Sequence, residues 1–161
     1  MSEIKYGFAP VYDKDSQLLI LGSFPSVKSR QVDFYYGNPQ NRFWRTACGY
    51  FNEEVPDTTE GKREFLLRNK IALWDIVTEC EIVGSQDSTI KNFKVADIKT
   101  LLQNSAIRFI ILNGGKACSV FEANYGDIKV PYKKLPSTSP ANTHFNVEEW
   151  RDVLSAVFGR A

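Results

Sequence analysis

Five of the six residues at 107–112 are apolar (Ile107, Phe109, Ile110, Ile111 and Leu112), and the run shows no alternation of apolar with polar side chains. A strand without a polar face has to be covered on both sides, and that is the situation of a central strand in a parallel sheet flanked by helices. Three further β-rich runs accompany it, at residues 17–22, 71–74 and, less clearly, 130–135. Between them lie windows with helical spacing of apolar residues, so the chain alternates strand and helix as an α/β domain does.

The helical windows are residues 41–51 (Phe43, Trp44, Ala47 and Cys48 on one face), 60–69 (Phe65, Leu66, Leu67), 95–103 (Ile98, Leu101, Leu102), 115–125 and 147–158. In the last, Val147, Trp150, Val153, Leu154 and Val157 share a face, Asn146 is a suitable N-cap, and Glu148 and Glu149 suit the positive end of the helix dipole. Strand–helix–strand order implies right-handed crossovers. The expected fold is a three-layer α/β/α sandwich on a central four-stranded parallel sheet, formed by residues 1–161 as one domain, with no repeat, linker or low-complexity segment.

Ligands of such sheets bind beyond the carboxyl ends of the strands. That rule selects the loops 22–41, 113–116 and 136–142. The first leaves its strand through Gly22, Ser23, Phe24, Pro25 and Ser26 and reaches an aromatic-amide cluster containing Phe34, Tyr35, Tyr36, Gly37, Asn38, Pro39, Asn41, Phe43 and Trp44. Such a loop suits the stacking and hydrogen bonding of a flat polar ring: Tyr35 or Tyr36 offers a stacking face, and Asn38 and Asn41 each carry an amide donor and acceptor. Either asparagine is equally an ordinary turn residue, whereas Phe43 and Trp44 read as core. Gly37 permits a close backbone approach. The second loop places Asn113 before Gly114 and Gly115. The third packs Ser137, Thr138, Ser139 and Asn142 between Pro136 and Pro140 and just past them, small polar groups able to approach phosphate or sugar. Asp75 ends a strand with either a site or a packing role, and residues 84–88 form a loop that caps a helix or contacts a ligand.

Other chemistries find little support. No GxxxxGK[ST] or GxGxxG follows a strand, and the single histidine, His144, has no GxSxG turn to serve. Cys48, Cys80 and Cys118 are widely spaced, read as buried reduced thiols, and support neither a zinc site nor an iron–sulfur cluster. Net charge is +1, so recognition of a polyanion would depend on local placement of Lys28, Arg30, Lys116, Lys129, Lys133 and Lys134. No apolar run has membrane-span length and the start lacks a signal-peptide stretch, so a cytoplasmic protein is expected, or a nuclear one if the host has a nucleus.

Five ordered motifs give the chain a resemblance to the uracil-DNA glycosylase superfamily, nearest its DNA-deoxyinosine (hypoxanthine-DNA) glycosylase group. They are residues 22–26 (GSFPS), 35–44 (YYGNPQNRFW), 72–75 (ALWD), 84–88 (GSQDS) and 137–142 (STSPAN). The resemblance implies a monofunctional DNA glycosylase that hydrolyses the N-glycosidic bond of deaminated bases, hypoxanthine or uracil or both, in base-excision repair. It implies a monomer acting on DNA, with no metal or organic cofactor and no membrane partner. Catalytic groups would come from Asn38, Asn41 and Ser23, with Asn38 favoured as the water-positioning amide because Asn41 also matches a segment of mismatch-specific relatives. Gly22, Phe24, Tyr36 and Asn113 would hold the base. Pro25, Ser26, Ser137, Thr138, Ser139 and Asn142 would contact DNA. Two positions depart from better-known branches: Ser23 stands in the region of their first-motif Asn or Asp, and Ser137 where their last motif begins with His. The alternative reading is a member that binds damaged or single-stranded DNA without turnover. A third is a small-molecule nucleoside hydrolase using the same crevice.

Overall fold

The computed structural model describes residues 3–159. In chain order its elements are β1 (Ile4–Tyr6), β2 (Leu18–Gly22), α1 (Val27–Val32), α2 (Phe43–Tyr50), α3 (Thr59–Arg68), β3 (Ile71–Asp75), β4 (Val77–Glu81), a 3-10 turn (Asp87–Thr89), β5 (Lys91–Val95), α4 (Ile98–Gln103), β6 (Phe109–Asn113), α5 (Gly115–Tyr125), β7 (Tyr132–Leu135) and α6 (Val147–Phe158). The four apolar runs form one sheet in the order β3-β2-β6-β7, parallel throughout.

β2 sits between β3 and β6, with Ile20 level with Leu73 on one side and Ile111 on the other. All five of its residues are buried. Alternate side chains serve opposite layers, as strand geometry requires. Leu18 and Ile20 pack with Phe43, Phe65 and Trp150 from α2, α3 and α6, whereas Leu19 and Leu21 pack with Ile98, Val120 and Phe121 from α4 and α5. Each such side chain, fully removed from water, contributes about 1.5–3 kcal/mol. The chain leaves β2 for β3 on one side and returns to β6 on the other, so the strand order reverses between β2 and β6. That reversal opens a crevice beyond their carboxyl ends, at Gly22 and Asn113.

A second sheet, β1-β4-β5, is antiparallel and was not expected. β5 is almost entirely exposed, so it lacks the apolar alternation that marks a strand and is held by pairing with β4. β4 continues from β3 after Ile76, whose N–H donates to Gly22 O at 2.8 Å, while Val77 N–H donates to Ser23 O at 3.1 Å. The end of β2 is thereby fixed to this bend.

Several expected boundaries move. The helix expected at 95–103 begins at Ile98, because Asp97 caps it by accepting from Thr100 N–H at 3.1 Å and Val95 belongs to β5. The one expected at 41–51 is Phe43–Tyr50, with Asn41 accepting from Phe43 N–H at 2.9 Å just before it. The short α1 was missed; Ser26 caps it. The strand expected at 130–135 starts at Tyr132, after Pro131, which has no N–H to donate. Asn146 caps α6 as expected, at 3.0 Å from Glu148 N. Cys48 and Cys80 are buried free thiols, but Cys118 is only half-buried. Among the described residues no helix is long and apolar enough to cross a membrane.

Candidate active site

The crevice is a cleft of about 740 Å³. Its walls come from the segment after β2 (Gly22–Ser26), the aromatic-amide loop (Tyr35, Tyr36, Asn38, Asn41), the turn after β6 (Asn113–Gly115) and the last loop (residues 134–142). All three loops selected by the carboxyl-end rule therefore converge. A fourth wall was read less sharply from sequence: Asp75 at the end of β3, with residues 85–88.

Gly22 is where the floor is tightest. A Cβ there would lie 2.5 Å from Asp75 Oδ1 and 3.1 Å from the Tyr36 hydroxyl, so only the absence of a side chain lets both polar groups crowd this point. Asp75 is 5% exposed, and its Oδ2 is buried without a hydrogen-bond partner among the described residues. Burial, with the nearby Asp87 charge second, raises its carboxyl to about 7. Tyr36 takes a left-handed backbone (φ 52°), stacks on Phe43 with centroids 4.5 Å apart, and accepts from Asn113 Nδ2 at 3.2 Å. Burial, and then the Asp75 charge, push its phenol up as well.

Both N–H groups of the Asn113 amide are engaged. Nδ2 donates to the Thr138 hydroxyl at 3.0 Å and to Tyr36, and Oδ1 accepts the Thr138 N–H at 3.0 Å. Its Oδ1 keeps one lone pair. Thr138, expected against DNA, is only 1% exposed and turned inward onto Asn113. Around it the last loop presents Ser137, Ser139 and Asn142, all half-buried; Asn142 Nδ2 donates to Ser137 O at 2.9 Å. The loop is fixed from outside by Trp150 Nε1 donating to Pro136 O (2.8 Å) and by Arg42, whose backbone N–H and guanidinium donate to Thr138 O (3.0 Å) and Ser139 O (3.1 Å).

Asn38 and Asn41 both line the cleft and both close local turns. Asn38 Oδ1 accepts Gln40 N–H at 2.9 Å, and Asn41 Oδ1 accepts Phe43 N–H at the same distance. Neither Nδ2 has a partner among the described residues, so each asparagine is at once a turn residue and a cleft-lining residue with an uncommitted amide donor. Gly37 does allow a close approach, but to α1: a Cβ there would fall 2.2 Å from Val32 Cγ2, and its N–H donates to Ser29 Oγ at 2.9 Å.

Ser23 is buried and donates to Asp87 Oδ1 at 2.8 Å. The backbone N–H groups of Ser23 and Phe24 have no acceptor among the described residues. Val27 N–H reaches Ser85 Oγ (2.8 Å) and Arg30 reaches Gly84 O (2.7 Å), so α1 anchors the 84–88 loop and Arg30 is spent on structure. Asp87 is exposed as a residue, yet its carboxyl leans inward; desolvation raises it, with the Ser23 hydrogen bond and Lys116 opposing. Of the candidate lysines, Lys134 lines the cleft. No group of three His, Cys, Asp or Glu among the described residues is placed to hold a metal ion.

Asp75 and Asp87 are the site residues that sequence reasoning underweighted. The usable signal for Asp75 was an acidic residue ending an apolar strand, at the end of a sheet where ligands bind.

No model of a known protein family matches the chain. Individual relatives do. A hypoxanthine DNA glycosylase of Methanosarcina acetivorans is 38% identical over 156 residues, covering 94% of this chain and 98% of its own. One from Methanosarcina barkeri is 33% identical over 139 residues, covering 86% and 88%. A solution NMR structure from Methanosarcina acetivorans, provisionally described as a uracil DNA glycosylase, superposes with a TM-score of 0.84 at 37% identity, covering 96% of this chain and 99% of that one. The parallel sheet with its crevice at the β2/β6 reversal is thus a uracil-DNA glycosylase fold. Within that superfamily the chain belongs to the hypoxanthine-DNA glycosylase group, and it is a DNA glycosylase.

Proposed function

We propose that this enzyme excises hypoxanthine from DNA by hydrolysing the N-glycosidic bond of deoxyinosine. The observation that carries this reading is the convergence, in one cleft, of free amide donors (Asn38, Asn41), unpaired backbone N–H groups (Ser23, Phe24) and a fixed amide (Asn113). The cleft is closed to a base still in a duplex, so the nucleotide is extruded into it. Phe24 and Tyr36 flank the base, and the remaining lone pair of Asn113 Oδ1 accepts the ring N–H that deamination creates. As the bond breaks, positive charge grows on the sugar and negative charge on the base; the N–H groups of Ser23 and Phe24 face the latter. Asn38 orients the attacking water through Nδ2, with Asn41 beside it setting the first turn of α2. Ser23 acts through Asp87, holding the 84–88 wall against β2. Pro25, Ser26, Ser137, Ser139 and Asn142 on the rim meet the strand, with Thr138 supporting them from beneath. The protein acts as a monomer on chromosomal DNA in the cytoplasm.

Uracil carries the same N–H beside a carbonyl but is a smaller ring, and the same contacts admit it at a lower rate. The test is single-turnover cleavage of end-labelled oligonucleotides carrying one deoxyinosine, deoxyuridine or deoxyxanthosine, followed by alkali. Strand breaks at deoxyinosine, faster than at deoxyuridine, are expected. Binding to every lesion with no break at any would favour a non-catalytic damage-binding protein, and cleavage of free deoxyinosine at a comparable rate would favour a nucleoside hydrolase.

A further inference from the structure

We propose that a basic groove between α2 and α6, which shares no lining residue with the cleft, holds a backbone phosphate of the DNA strand flanking the extruded nucleotide. The inference rests on the proposed base-excising role of the cleft and adds a DNA contact that neither the motifs nor the relatives assign.

The groove is written into the start of α2. Arg42, Arg45 and Thr46 fall at i, i+3 and i+4, so they share one face, while Phe43 and Trp44 between them turn into the core. Helix α6 lies against α2 through Trp150 and Phe43, with ring centroids 6.4 Å apart. The next residue, Arg151, thereby reaches the same groove, a hollow of about 440 Å³ that Thr143 and Phe145 help to line.

Three guanidinium groups thus surround one hollow, and no Asp or Glu lines it among the described residues. Like charges gathered in this way repel one another and favour an anion between them. Arg42 is partly committed: it donates to Ser139 O at 3.1 Å and lies over the Phe145 ring, 5.2 Å from its centroid. A guanidinium has five N–H donors, so others remain. Arg45 is exposed and has neither an ion pair nor a hydrogen bond among the described residues. Arg151 pairs only with Glu148 on its own helix, at 3.6 Å and with both side chains exposed, an interaction that is cheaply exchanged.

A second observation comes from Thr46. The residue is 5% exposed and its hydroxyl has no hydrogen-bond partner among the described residues. That hydroxyl is not sealed in, because Asp75 Oδ2 is the one side-chain polar atom among them both fully buried and unpaired. Its remaining surface opens onto the groove it lines. A buried hydroxyl left free beneath three cations suits an acceptor-rich ligand such as a phosphodiester.

The position selects DNA as the source of that phosphate. Asn41 lines the cleft and Arg42 the groove; Asn142 lines the cleft and Thr143 the groove. The two sites therefore adjoin along both chain segments, with Arg42 holding the last loop between them. A DNA strand carries a phosphate about every 3.4 Å of axis, so one nucleotide in the cleft brings its neighbours past this edge. Such a contact fixes register and carries no base preference.

The experiment measures binding, by fluorescence anisotropy, to a duplex carrying a tetrahydrofuran abasic analogue. That DNA has no base to excise at the lesion, so the outcome is independent of base release. Wild type is compared with an Arg45→Gln, Arg151→Gln double variant and with Lys14→Gln, an exposed cation in the loop before β2, at the opposite end of the sheet. In roughly 0.15 M salt the double variant is expected to bind about tenfold more weakly. Its plot of log affinity against log salt should lose about one unit of slope, and Lys14→Gln should change neither quantity. Shortening the duplex one nucleotide at a time from each side then places the phosphate: the difference between wild type and double variant should vanish on one side only. An unchanged slope in the double variant, an equal loss in Lys14→Gln, a difference that persists at every length on both sides, or no binding by wild type would overturn the inference. If the expected pattern appears and wild type releases no base from deoxyinosine DNA, the proposed function fails and this contact stands.

Discussion

Asn113 and Thr138 are bonded in both directions, Nδ2 to Oγ1 and N–H to Oδ1, each at 3.0 Å. This reciprocal pair joins the end of the central strand β6 to the last loop, and through Nδ2 it also holds Tyr36 at 3.2 Å. Three walls of the cleft are therefore tied together.

Thr138→Val keeps the shape and the backbone bond but removes the hydroxyl, freeing the Asn113 amide to rotate. A loss of about 1 kcal/mol in urea unfolding is expected, with excision slowed by more than the stability change explains. Unchanged single-turnover rates would show that Asn113 orientation does not matter to catalysis.

Gly22→Ala puts a methyl 2.5 Å from Asp75 Oδ1, closer than side chains approach. Asp75 or Tyr36 must then shift, at about 1–3 kcal/mol. Excision is expected to drop at least tenfold with DNA affinity retained, as read by fluorescence anisotropy and single-turnover cleavage on the same preparation.

Asn38→Ala and Asn41→Ala separate two asparagines that look alike. Each accepts one backbone N–H at 2.9 Å, but the Asn41 bond sets the first turn of α2. Asn41→Ala is expected to cost about 1 kcal/mol of stability. Asn38→Ala is expected to lose most cleavage and keep the melting temperature. The opposite pattern would move the water-positioning role to Asn41.

The buried acid also leaves a signature on stability. Because the folded-state value of Asp75 is raised from 3.8 to about 7, the folded protein holds a proton that the unfolded chain has lost between those values. Stability contributed by this site thus falls as pH rises from about 4 to 7 and stays low above. Asp75→Asn should raise stability by about 2 kcal/mol or more at pH 8 and change it little at pH 4, in paired denaturant titrations. Equal shifts at both values would mean that the carboxyl is ionised throughout.

The parallel sheet was legible because β2 and β6 are apolar on both faces, and only a covered strand reads that way. The cleft followed from it, since strand ends and the Gly, Asn and Ser composition of three loops coincide. The β1-β4-β5 sheet was hidden because Lys91–Val95 is exposed and held by pairing, which leaves no periodic trace. Thr138 looked like a surface hydroxyl because nothing in residues 136–142 reveals which side chain turns toward Asn113. Asp75 was visible as a residue, but the surroundings that raise its carboxyl, burial and the nearby Asp87, depend on contacts made across the fold.

The central claim is base release, and the most direct measurement is chromatography of the free base liberated from a deoxyinosine oligonucleotide under enzyme excess. One hypoxanthine is expected for each abasic site formed, with no base released from an undamaged duplex. Retention of the intact oligonucleotide on the protein, with no free hypoxanthine at any time point, would contradict it.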